Sequence, residues 1–249
     1  MGDYVLFHMW GRTREHLIAS HEFYVAEARQ RLLSPFTDQS MRAEAEQVAG
    51  TWLARMSARF DPDRDDPGAY YEQANDESVG FYLRLEELRD TTRLSIVAGM
   101  YHEWEKQLRD WLTRELMRVG AGKAFLAAIW KQPIGDLFEF FESWGWRIKA
   151  TSYYKDLEIC HLIVNVYKHG SGSSFDKLKG LSPAHAGYNP NHPYFSLDHT
   201  NLSVTDSDLE RFSRAVVAFW RDLPENTFQS QISSEPKWVT AALKKDQGA

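Results

Sequence analysis

Apolar residues return every three or four positions along most of this chain, the spacing of helices with one face turned to a core. From Thr13, a candidate cap, the text turns helical, and HLIASHEFYVAEARQRLL then runs on without Gly or Pro until Pro35, predicting a first helix. Ala45, Val48, Trp52, Met56 and Phe60 predict a second over 38–60, the two forming an antiparallel hairpin. Ahead of them, YVLFHMW (4–10) is apolar and β-prone, an edge strand or a segment tucked into the core.

Beyond the hairpin, DPDRDDPG (61–68) has the prolines, glycine and charge of a linker. Helical text occupies 69–119 and stops at Gly120 to Gly122. The segment KAFLAAIWKQPIGDLFEFFESWGW predicts two helical pieces broken at Pro133. A further helix covers 151–168 and ends at a Gly-Ser turn, and the Pro-, Gly-, Asn- and His-rich stretch 180–201 predicts a long irregular loop of the kind that lies over a site. Thr205 or Asp206 opens a last amphipathic helix, SDLERFSRAVVAFWRDL. The expected fold is all-α: an N-terminal helical hairpin (1–62), a multi-helix bundle (69–223) and a polar, frayed C-terminal tail (224–249).

Composition narrows the class without naming a function. Hydrophobic residues at 43% and charged residues at 26% are globular values, and 249 residues suffice for a substantial core. Aromatic side chains make up 14%, enough that some are expected to face a groove or a partner. With 29 basic against 35 acidic residues the net charge is -6, so any contact with nucleic acid must be local rather than driven by a global field. Cys160 stands alone, no apolar run is long enough to span a bilayer, and the expectation is a cytoplasmic protein with no membrane partner.

Two helices carry candidate chemistry. On the later one, Glu158, His161, Asn165 and Lys168 share a face with His169 on its flank, opposite Ile159, Leu162, Ile163 and Val166. Asn165 supplies an amide to orient, Lys168 an ammonium for anionic oxygen and His169 an imidazole to move protons, while Gly170, Ser171, Gly172 and Ser173 form a turn able to approach a ligand closely. The competing reading is a solvated helix face with a glycine stop. On the earlier helix, Leu94, Val97, Ala98, Tyr101, Leu108 and Leu112 form an apolar stripe that contains Glu105, with Arg109 one turn later. A carboxylate on such a stripe is either a functional group or half of a self-neutralising pair with Arg109. His185, His192, His199 and Asp198 lack a compact ligand spacing, so neither a metal nor another cofactor is expected. Nucleotide-loop, dinucleotide and α/β-hydrolase motifs are absent from the sequence.

Between Leu94 and Ser174, from YHEWEKQL to LIVNVYKHG, the pattern resembles the HEPN superfamily of helical bundles, many of whose members are RNases of toxin–antitoxin and phage-defence systems. Asn165 and His169 match the family's Asn and His, whereas Val164 stands where its arginine would be. The resemblance implies a homodimer with RNA as substrate, an antitoxin or other protein as further partner, and a metal-independent endoribonuclease. In that scheme His169 acts as general acid or base, Lys168 and Arg109 stabilise the phosphorane, Asn165 orients, and Glu105 pairs with Arg109 on the partner helix. The alternative is a non-catalytic HEPN-like module binding RNA, a nucleotide or a protein.

Overall fold

A computed structural model describes residues 3–188 and 197–248. The protein is an all-α multi-helix bundle carrying a two-stranded sheet. In chain order the elements are β1 (Val5–His8), α1 (Gly11–Ala28) continuing into a π-helical turn (Arg29–Leu33), α2 (Asp38–Ser57), α3 (Pro67–Arg118), α4 (Lys123–Lys131), α5 (Ile134–Ser143), α6 (Tyr154–His169), α7 (Ser173–Leu181), α8 (Asp206–Asp222), β2 (Asn226–Phe228) and α9 (Lys237–Gln247).

The chain forms two compact units, Met1–Val25 with Val97–Ala249, and Ala26–Ile96. The division falls within α1 and α3 rather than at 61–68, which joins α2 to α3 inside the smaller unit. There α2 lies antiparallel to the first half of α3, Asp38 meeting Arg89 at 3.4 Å near one end and Trp52 meeting Tyr70 at 5.9 Å near the other. α2 and the first half of α3 thus form a helical hairpin across the 61–68 loop. Thr37 caps α2 by accepting from the Ser40 N–H at 3.1 Å, whereas Thr13 lies inside the first turn of α1 rather than at its cap position.

In the larger unit most of the aromatic load is core. Trp104, Phe141, Phe212, Phe219 and Trp220 are fully buried, and Phe219 packs edge-on against Trp104 with ring centroids 5.1 Å apart. Trp10 and Phe23 remain exposed. The helix break at Pro133 is present between α4 and α5, and Thr205 caps α8 in a reciprocal box with Asp208.

The segment after Leu223 corrects the expected frayed tail. β2 pairs antiparallel with β1, Phe7 opposite Thr227, and α9 packs on α4 with Val239 and Ala242 buried. Both oxygens of Asp246 accept from α4, from Ala124 N–H at 2.8 Å and Phe125 N–H at 3.0 Å, so α9 caps a helix more than a hundred residues upstream. Among the described residues no helix is long and apolar enough to cross a membrane.

Candidate functional site

Helix α6 is anchored by a wide apolar face. Leu157, Ile159, Cys160, Leu162, Ile163, Val164 and Val166 are buried, and the helix packs on α7 and α8. Val164 is 1% exposed, so the position where the resemblance to HEPN domains expects an arginine belongs to the core. The opposite stripe, Glu158, His161 and Asn165, is half-buried, and Lys168 and His169 emerge into solvent at the carboxyl end. Gly170 stops the helix with φ +74°, a backbone region where a Cβ is strained, and its N–H donates to the Val166 carbonyl at 2.8 Å.

Asn165 faces inward along the stripe. Its amide nitrogen lies 2.9 Å from Nε2 of His161, and Nδ1 of that ring lies 2.9 Å from the hydroxyl of the buried Tyr101 on α3. A neutral imidazole has one N–H and one bare nitrogen. With the Asn165 amino group donating to Nε2, the ring proton sits on Nδ1 and is donated to the Tyr101 oxygen. With the proton on Nε2 instead, the Asn165 amide presents its oxygen to the ring and the Tyr101 hydroxyl donates to Nδ1. Burial holds the His161 pKa below its ordinary value; Glu105 opposes this, and Lys177 and His102 reinforce it. Burial raises the Tyr101 phenol, with the Glu105 carboxylate adding to the effect.

The Glu105–Arg109 relationship follows the self-neutralising reading. Arg109 Nε donates to Glu105 Oε1 at 3.1 Å, its Nη2 bonds the same oxygen, and Nη1 donates to the Ile129 carbonyl of α4. The arginine side chain is 8% exposed and the glutamate 21%, so the guanidinium is committed to internal partners, and the carboxylate acts on His161 only through its charge. Tyr101, one step of four from Glu105 and two from Arg109 on α3, thus meets His161, one step of four from Asn165 on α6.

His169 and Lys168 are not part of this cluster. His169 lies eight residues beyond His161, about 12 Å along the helix axis, and among the described residues neither it nor Lys168 has a hydrogen bond or ion pair. The turn that follows is held from the other side: Ser171 Oγ lies 3.0 Å from Nδ1 of His199, whose ring sits over Gly170. Gly172 precedes α7 and Ser173 opens it, and no described side chain caps that amino terminus. His185 is turned to Asp208 at 3.1 Å and to Ser182 at 2.6 Å, and His192 lies outside the described residues. No group of three metal-ligating side chains converges among the described residues.

The structure therefore separates the candidate residues into an interior cluster (Asn165, Glu105, Arg109) and an exposed lip (Lys168, His169 and the Gly170–Ser173 turn). Tyr101 and Lys177 were not singled out from the sequence, and His161 was placed only on the α6 face. The signal for Tyr101 was its step of four from Glu105, masked because a tyrosine on an apolar stripe reads as core. No protein-family model, curated protein sequence or solved structure matches this chain.

Proposed function

We propose that this chain is a HEPN-like module that binds RNA through the α6–α7 junction without cleaving it. The observation that carries the reading is the uncapped amino terminus of α7, which follows directly on the exposed Lys168, His169 and the Gly-Ser turn. Free backbone N–H groups at a helix start, an ammonium and an imidazole are the complement of a phosphodiester oxygen.

Binding is favoured over cleavage by where the other charges go. The position of the family's arginine is a buried valine, Arg109 is spent on Glu105 and the Ile129 carbonyl, and the Asn165 amide is engaged by His161. No cation of the cluster is left to meet a phosphorane.

The experiment is incubation of the purified protein with total RNA in EDTA, beside fluorescence anisotropy on a labelled single strand. The expected result is intact RNA together with binding that weakens in Lys168→Ala and His169→Ala. Cleavage lost in His169→Ala would select the endoribonuclease instead, and neither binding nor cleavage would remove the HEPN-like reading. A single lysine, Lys168, implies a shallow salt dependence, with affinity falling about threefold between 50 and 200 mM salt at about 0.7 per phosphate contact.

A further inference from the structure

An open groove of about 580 Å³ lies in the larger unit, away from the α6–α7 lip, and is lined by Glu22, Tyr153, Ser213, Arg214, Arg221 and Asp222 over a floor of Val217 and Ala218. Tyr153 sits at the amino end of α6, sixteen residues before His169 and about 24 Å from it along the axis. The volume is that of a small-molecule site.

The polar walls are held in place from behind. His21 on α1 is 5% exposed and its Nε2 lies 2.9 Å from Ser213 Oγ, fixing that hydroxyl at the groove. Asp222 Oδ2 accepts from the Trp146 indole N–H at 2.9 Å and from the Tyr153 hydroxyl at 2.7 Å, which orients the carboxylate and leaves its second oxygen available. Arg214 and Arg221 are seven residues apart on α8 and share its groove face. Arg214 has only a 3.9 Å contact to Glu210, and Arg221 has no ion pair among the described residues.

Two guanidinia two turns apart present planar donor forks suited to a phosphate, the Val217–Ala218 floor suits a flat apolar ring, and the carboxylates of Glu22 and Asp222 accept from hydroxyl or amino groups. We propose that this groove binds a phosphorylated small molecule of nucleotide size, with its phosphate at Arg214 and Arg221, its ring on the floor and its hydroxyls at Asp222 and Glu22. The site is distinct from the RNA-binding lip and does not depend on it.

The test titrates adenosine 5′-monophosphate, ribose 5-phosphate and inorganic phosphate into the full ¹⁵N-labelled chain, reading the Trp146 indole resonance by NMR and affinity by calorimetry. The nucleotide is expected to move that resonance, to bind at least ten-fold more weakly to the Arg214→Ala/Arg221→Ala double variant, and to bind unchanged to Lys168→Ala/His169→Ala. Circular dichroism confirms that each variant keeps its helices. The proposal is overturned by any of four results: no response to either organic phosphate at millimolar concentration, affinity unchanged in the double arginine variant, affinity lost in the Lys168/His169 variant, or inorganic phosphate binding as tightly as the nucleotide.

Discussion

Nε2 of His161 lies 2.9 Å from the amide nitrogen of Asn165, and this contact ties the titration of a half-buried imidazole to the orientation of a side chain four residues away. Burial is the main cause that holds the ring's pKa below its ordinary value, with Lys177 and His102 adding to it and Glu105 opposing it, and the Asn165 amino group at Nε2 offers the charged form no acceptor. Replacing that donor by an acceptor reverses the preference. In Asn165→Asp the His161 pKa is expected to rise by about one to three pH units, read from the ring resonances in an NMR titration. An unchanged midpoint would show that the 161–165 contact does not govern this ring.

His21 makes an acid-sensitive stability. Burial lowers its pKa from 6.5 to about 4, so the folded state prefers the neutral ring while the unfolded chain binds the proton more readily. The stabilisation is complete above the unfolded value and is lost as the pH falls toward the folded one. The gap between 6.5 and about 4 corresponds to about 3 kcal/mol. Urea denaturation between those limits is expected to show this loss in the parent protein and a flatter profile in His21→Gln. Parallel profiles in the two proteins would contradict the assignment.

Val164→Arg introduces an arginine at the position where the HEPN resemblance expects one, on a side of α6 that faces the core. A guanidinium at this 1% exposed position would lose its solvent, and the variant is expected to lose about 3 kcal/mol or more of stability and to gain no RNase activity. A stable variant that cleaves RNA would show that this face of α6 is open to substrate.

Asp246→Ala removes the acceptor for two α4 amides and is expected to cost about 1–2 kcal/mol, measured by thermal or urea unfolding. Gly122→Ala tests the same joint from the other side, because a Cβ at that position overlaps the Asp246 carboxylate. A neutral outcome in both variants would mean that α9 is not docked against α4.

Fold class, the break at Pro133, the Gly170 stop and the Thr205 cap were all legible in the sequence, because each depends on spacing or backbone chemistry within a few residues. The α6 apolar face was legible for the same reason. The partners of its polar stripe were not: Tyr101 is sixty residues from His161, and no local pattern distinguishes a tyrosine that packs from one that also bonds an imidazole.

By itself, then, the sequence determined an all-helical chain and which residues share each helix face, since periodicity and capping are properties of short stretches. Tertiary structure alone decided the rest. It turned Asn165 and Arg109 to interior partners while leaving Lys168 and His169 in solvent, drew the polar C-terminus back onto α4 and β1, and set two arginines of α8 across a groove from Tyr153 and Glu22. These outcomes depend on which faces meet across distant segments. Burial and hydrogen-bond satisfaction choose among such pairings only once the chain is folded.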